Sequence, residues 1–273
     1  MAATRNSRSS DLPARVGDFL ATRIAPSDTL SVGLSGGCDS VVLLHTLCVL
    51  GLTDRLQAIH VHHGLSPNAD SWAGFCTDYC RRLGVPLAVH RVVVEADAGC
   101  GLEAAARAAR YQVFAEAAGD ILLLAHHRGD QAETVVFNLL RGSGVTGAAG
   151  MPVERRFGDK RLLRPLLGVA RGEIEAYARQ AGLDWVEDES NRDTGLTRNY
   201  LRHEALIALG QRFPTAEAAL AQAAGHFAEA GELLDELAAL DWQRASDGDA
   251  AAMPLLRQLS LPRLKNLLRY RLR

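Results

Sequence analysis

The chain contains no run of about 18 apolar residues, the length a membrane-spanning helix requires, so no membrane association is expected. Its first fifteen residues, MAATRNSRSSDLPAR, lack the apolar stretch of a secretory signal and read as a loose polar tail. Cysteine is scarce: five residues, at positions 38, 48, 76, 80 and 100, an odd number. Cys76 and Cys80 stand four apart, one helical turn rather than a C-x-x-C ligand pair. Reduced thiols in a cytoplasmic protein are therefore the expectation. Strong net charge is missing as well, with 30 Lys and Arg against 32 Asp and Glu, which excludes a polycation acting through bulk charge. What charge there is falls in patches. Residues 215–252 carry eight acids and one arginine, residues 253–273 six bases and no acid, and residues 141–171 seven bases against two acids. Such patches suit phosphate-facing surfaces, and equally suit solvated faces.

What is present is an ordinary globular composition. The 273 residues are 48% hydrophobic and 23% charged, which fits one large or two modest domains. Strand-like runs at 29–34, 56–62, 86–94 and 120–125 alternate with helical stretches at 70–83, 101–118 and 130–140. That alternation predicts an α/β fold, a parallel sheet with helices on both faces. Beyond it, residues 141–160 hold five glycines and a proline and read as a long mobile loop. A helix is predicted over 171–182, a short strand over 183–186 and a helix from about Arg198. The Ala/Leu/Glu-rich stretch 215–240 changes the composition, so a domain boundary is placed at Phe213-Pro214. This gives a catalytic domain over 1–213 and a smaller all-helical domain over 214–273. The basic helix from Ser260 to Arg273 has no cap or turn after it, which suggests a second domain that is incomplete.

Four stretches carry the chemistry: 35–40, 125–134, 102–111 and 188–202, the last an Asp-x-Ser-Asn loop that suits a capped turn, followed by Arg198-Asn199, a pair that equally suits a staple for that turn. Ser35-Gly36-Gly37-Cys38-Asp39-Ser40 lies between a strand and a helix. Two glycines let the backbone approach a bulky anion, and a new helix aims unpaired N–H groups at it. The lysine of the usual P-loop is absent, and an aspartate beside phosphates points to an intervening Mg²⁺. A plain turn and helix start would read the same way. Parallel sheets bind ligands beyond the carboxyl ends of their strands. There this loop meets His60, His62 and His63 from the second strand and His126 and His127 from the fourth. Asp130 and Glu133, three apart on a helix, share a face and suit an ammonium or a metal ion, or simply a favourable helix start. Arg107 and Arg110 share a face and suit phosphate, or a solvated helix side.

S-G-G-x-D-S after a first strand resembles the pyrophosphate-binding loop of the N-type ATP pyrophosphatases, which cleave ATP between the α and β phosphates. Four further motifs follow in order: H-V-x-H-G-L (60–65), L-E-x-x-A-R-x-x-R-Y (102–111), A-H-H-x-x-D-Q-x-E-T (125–134) and L-x-R-G-S-G-x-x-G (139–147). A fifth, D-x-S-N…R-N-x-x-R, spans 188–202. Together they resemble the tRNA(Ile)-lysidine synthase family over about residues 28–210. The family often has Asn-His after the second strand, where this chain has His62-His63.

The resemblance implies a ligase that adenylates C2 of the wobble cytidine in a tRNA(Ile) with a CAU anticodon. Free L-lysine then displaces AMP, giving lysidine. It implies that Ser35, Gly36, Gly37, Cys38, Asp39 and Ser40, with His63 and Arg107, bind ATP, and that Asp39 reaches Mg²⁺. Asp39, Arg110 and Asp130 would be catalytic, and Asp130 and Glu133 would grip lysine. Arg141, Asn191, Arg198 and Arg202 would contact tRNA. A homodimer is compatible with this reading. Two other functions fit the pyrophosphatase loop: cytidine 2-thiolation by a related enzyme, which the absence of paired cysteines disfavours, and a non-catalytic nucleotide- or tRNA-binding module.

Overall fold

The structure, a computed structural model, describes residues 12–94, 101–189, 194–247, 250–251 and 253–272. After helix α1 (Leu12–Ala21) the chain alternates strand and helix: β1 (Leu30–Gly33), α2 (Cys38–Val49), β2 (Leu56–His62), α3 (Ala69–Leu83), β3 (Leu87–Arg91), α4 (Leu102–Glu116), β4 (Ile121–Leu123) and α5 (Arg128–Leu140). A short α6 (Val145–Ala148), the hairpin β5 (Glu154–Phe157) and β6 (Lys160–Leu163), and α7 (Arg171–Gln180) follow. The six strands form one sheet in the order β3-β2-β1-β4-β6-β5, parallel except for the edge strand β5.

The period of two along each strand explains why both faces are covered. Leu30, Val32, Leu56, Ala58, Ile121, Leu123 and Leu163 pack on one side with residues of α1, α2, α3 and α7. Ile59, Leu122, Leu124 and Leu162, one residue out of step, pack on the other side against Val113 and Phe114 of α4. Each leucine buried this way contributes about 1.5–3 kcal/mol. Strand order reverses between β1 and β4, so the loops that leave their carboxyl ends open a crevice there.

Two expectations fail. Residues 183–186 form no strand: the Val186 N–H donates to the Gly36 carbonyl (3.0 Å), and among the described residues the stretch joins no ladder. Residues 141–160 are not one long loop but α6 and most of a hairpin. Gln131 fastens this stretch, accepting from Met151 N (2.8 Å) and donating to Met151 O (3.0 Å), and Asn138 donates to Gly147 O (2.7 Å). Glycine count signalled the turns but could not show the partners that fix them.

The remaining helices are α8 (Thr197–Tyr200), a π-helical stretch Leu201–Ala205, α9 (Leu206–Arg212), α10 (Ala216–Ala245), α11 (Met253–Leu256) and α12 (Leu261–Arg271), with a two-strand hairpin β7 (Ser246–Asp247) and β8 (Ala250–Ala251) after α10. The thirty-residue α10 lies along α5 and α6, and Arg128 Nε to Glu217 Oε1 (2.8 Å) ties it to the start of α5. Arg263 of α12 pairs with the buried Asp241 of α10. Among the described residues, no helix is long and apolar enough to cross a membrane.

Candidate active site at the carboxyl edge of the sheet

Loop 35–40 is built around a left-handed glycine. Gly36 has φ +90°, a conformation L side chains rarely adopt. A Cβ at this position would lie 2.8 Å from Val186 Cγ2 and 3.2 Å from Cys76 Sγ, so the loop tolerates only glycine. Ser40 knits the turn, donating to Gly37 O (2.9 Å) and accepting from Ser35 N (3.2 Å). Ser35 Oγ in turn accepts from Gly37 N (3.3 Å). Helix α2 starts at Cys38 with no side-chain cap, so its first N–H groups and the positive end of its dipole stay open toward an anion.

Asp39 stands in the first turn of α2. Its Oδ1 is buried and has no hydrogen-bond partner among the described residues. Its Oδ2 lies 3.8 Å from His127 Nε2. Burial raises the Asp39 pKa; His127 works against that rise and the nearby Asp130 adds to it. A carboxylate with a desolvated, unpartnered oxygen beside an anion cradle fits a divalent cation. Among the described residues, no group of three or more His, Cys, Asp or Glu is placed to hold a metal ion. An ion here would therefore complete its shell with phosphate oxygens and water, as Mg²⁺ usually does.

The start of α5 brings the second wall. His127 and Asp130 form a capping box: His127 Nδ1 accepts from Asp130 N (3.3 Å) and Asp130 Oδ2 accepts from His127 N (2.9 Å). One turn on, Glu133 is 5% exposed, and burial raises its pKa while Arg202 pulls it back. Arg202 Nε donates to Glu133 Oε1 (2.6 Å), and Arg202 Nη2 donates to Glu133 Oε2 (3.0 Å) and Asp130 Oδ1 (2.9 Å). Asp130 and Glu133 thus form one cation-binding pair, and a guanidinium already sits on it.

A third wall is basic. Arg110 Nε donates to His63 Nε2 (3.4 Å), which puts the His63 ring proton on Nδ1, a buried donor without a partner among the described residues. Burial, with the Arg110 charge second, pushes His63 down to about 4. Arg164, 3% exposed, donates from Nε to His126 Nδ1 (3.2 Å) and from Nη1 to Pro152 O (2.6 Å). Desolvation pushes His126 down to about 3; Asp130 opposes this, and Arg164, Arg107 and Arg110 reinforce it. Arg107 Nη2 donates to Tyr111 Oη (3.3 Å) and its guanidinium lies 5.0 Å from the Tyr111 ring.

The predicted residues divide as follows. Loop 35–40, Asp130, Glu133, Arg107, Arg110 and His63 all come to the carboxyl edge of the sheet. Arg141 and Arg198 flank Phe137 of α5, at 5.1 and 5.7 Å from the ring. Arg202, expected against tRNA, has its guanidinium on the carboxylate pair. Asn191 lies outside the described residues. His60 and His62 point to other tasks. His60 Nδ1 donates to Leu34 O (2.9 Å) beneath the loop, and His62 pairs with Asp70 (3.2 Å). Sequence reasoning missed Arg164 as a partner of His126 and Arg171 as a charge acting on Asp39. The only signal was the excess of base over 141–171.

A model of the PP-loop domain matches residues 9–209. Relatives named tRNA(Ile)-lysidine synthase are 49% identical over 241 residues in Pseudomonas fluorescens, covering 86% of this chain and 54% of that one. The Pseudomonas syringae relative is 52% identical over 85% of this chain and 52% of its own length. The Aromatoleum aromaticum relative is 48% identical over 93% and 60%. The chain spans about half the length of these relatives. In fold it is similar to the U34-tRNA thiolase NcsA of Methanococcus maripaludis, solved with its 4Fe–4S cluster. The TM-score is 0.65 at 16% identity, covering 82% of this chain and 81% of that one.

Proposed function

This chain belongs to the PP-loop domain family, and from that premise we propose that it ligates L-lysine to C2 of the wobble cytidine of a tRNA(Ile) with a CAU anticodon, using ATP. The observation that carries this reading is the Asp130–Glu133 pair, a site that holds a cation within electrostatic reach of Asp39 in the phosphate loop. Such a pair suits an amine substrate, whereas thiolation and simple nucleotide binding call for no such pair.

The roles follow from the chemistry. The open N-terminus of α2 and the Gly36-Gly37 backbone would receive the departing pyrophosphate. Asp39, with phosphate oxygens, would hold Mg²⁺, which supplies charge neutralisation there. The cytidine C2 oxygen attacks the α-phosphorus and pyrophosphate leaves. The lysine ε-amine then attacks C2, AMP leaves, and the amine proton passes to a carboxylate of the pair. The elevated Glu133 pKa suits that transfer, because a carboxyl that holds its proton more readily is the better acceptor. Arg110 and Arg107, gathered with His63 and His126, would balance phosphate charge. Arg141, Arg198 and Asn191 would contact tRNA, whose wobble base lies in a single-stranded loop and is open to capture. The catalytic unit would be 1–213 and the helices of 214–273 an RNA-contacting unit. The same reading carries a cytoplasmic location, where tRNA, ATP and lysine meet, and sizing of the full chain decides between monomer and homodimer.

Thiolation is less well supported. Burial pushes Cys38 and Cys76 up to about 12 and Cys80 up to about 11, so these groups stay thiols rather than nucleophilic thiolates at neutral pH. One assay separates the readings. The full chain is incubated with ATP, Mg²⁺, the CAU-anticodon tRNA(Ile) and labelled lysine. Lysine incorporation matched by AMP release is the expected result. ATP binding without either product would refute the ligase.

A further inference from the structure

Resting on the reading of Asp130 and Glu133 as the lysine subsite, the geometry points to Arg202 as an internal cation that closes this subsite until nucleotide binds. The four carboxylate oxygens of the pair are all in use. Three accept from the Arg202 guanidinium, at 2.6, 2.9 and 3.0 Å, and the fourth, Asp130 Oδ2, accepts from the His127 backbone at 2.9 Å. A lysine ammonium needs the same oxygens. It cannot take them while the fork is seated, and two partly buried carboxylates cannot lose the fork without a replacement charge.

The replacement has a second side. A guanidinium expelled from the pair must find another anion. His127 Nε2 lies 3.8 Å from Asp39 Oδ2 at the phosphate loop and 3.8 Å from Asp130 Oδ2 of the pair, so the triphosphate site lies beside the pair. Phosphate offers a guanidinium the same bidentate geometry as a carboxylate, with more negative charge. The backbone under Arg202 is suited to the transfer. Arg202 is the second residue of the π-helical stretch Leu201–Ala205, set between the ordinary helices α8 and α9. A π turn holds one extra residue, and its removal or migration re-aims the side chains it carries. Arg202 thus orders the reaction: nucleotide enters first, draws the guanidinium to its phosphates, and opens the carboxylate pair to the amine. Lysine then meets the site only when an activating group is present.

Calorimetric titration of L-lysine into the full chain tests this, with and without saturating α,β-methylene ATP and Mg²⁺, for the native protein and for R202Q and R202K. The expected result is lysine affinity that rises roughly tenfold with the analogue in the native protein, an ordinary size for coupling between sites. R202Q should bind lysine tightly in both states, and R202K should fall between. Equal lysine affinity with and without the analogue in the native protein overturns the inference, and this arm needs no variant to fold. Weaker lysine binding by R202Q in both states also overturns it, because Arg202 would then build the subsite rather than occupy it. Absence of lysine binding in every state, with the analogue still bound, overturns the lysine assignment itself.

Discussion

Replacing Gly36 with alanine tests the phosphate loop directly. The substitution adds one methyl group, and the structure states what it meets. Backbone at φ +90° is strained for any residue with a Cβ, and the new atom would lie 2.8 Å from Val186 Cγ2 and 3.2 Å from Cys76 Sγ. The backbone strain costs about 1–3 kcal/mol and the overlap about 1–3 kcal/mol more, so a loss of about 2–6 kcal/mol is expected. Urea unfolding followed by circular dichroism measures it. A second substitution separates the two causes. In G36A/V186A the overlap with Val186 should be relieved while the Cys76 contact and the dihedral part remain, so the double variant should be about 1–2 kcal/mol less destabilised than additivity predicts. Affinity for an ATP analogue should fall by roughly tenfold or more, because the backbone that contacts phosphate is displaced. A G36A protein as stable as the parent would refute the left-handed turn. Strict additivity of G36A and V186A would refute the contact between the loop and the segment after α7.

Three further outcomes follow from the site. The pKa of Asp39 is raised by folding, so its ionisation opposes folding: the stability present below its unfolded value near 3.8 is lost as pH rises through the folded value. D39N should therefore melt higher than the parent at pH 7 while losing activity, with the gap closing as pH falls toward 4; a lower melting temperature at pH 7 would contradict this. His126 and His63 have depressed folded values, about 3 and about 4 against 6.5, so their contribution is complete above pH 6.5 and is lost as pH falls below it. H126Q should accordingly flatten the decline of melting temperature between pH 6.5 and 4, and an unchanged slope would count against a neutral buried His126. Q131A should leave Met151 N–H and C=O unpaired and cost about 1–3 kcal/mol in urea unfolding, and a cost under about 0.5 kcal/mol would show that the 149–151 turn is held by something else.

Much of the fold was legible because its signals are local. The strand at 56–62 was read to the residue, since LQAIHVH is β-branched and apolar between turns. Alternation of strand and helix implied parallel pairing, because a parallel crossover needs an intervening segment of about a dozen residues. The 183–186 stretch misled because an apolar tetrapeptide looks the same whether it pairs in a ladder or docks a single N–H on the Gly36 carbonyl. The β5–β6 hairpin was hidden by the glycines around it, and its edge strand, Glu-Arg-Arg-Phe, is mostly exposed and carries little apolar pattern.

By itself the sequence determined the loop at 35–40, the shared helical face of Asp130 and Glu133, and the convergence of three strand ends. All three rest on fixed periods of two and 3.6 residues and on the rule that consecutive strands of a parallel sheet end on one edge. Only the tertiary structure decided which charges face each other. Arg202 lies 69 positions from Glu133, yet its guanidinium fills the carboxylate pair. Arg164 reaches His126 across 38 positions and Val186 closes over Gly36. Such pairings are set by packing between elements distant in the chain, where burial makes an unpartnered charge costly and forces it to find a counter-charge.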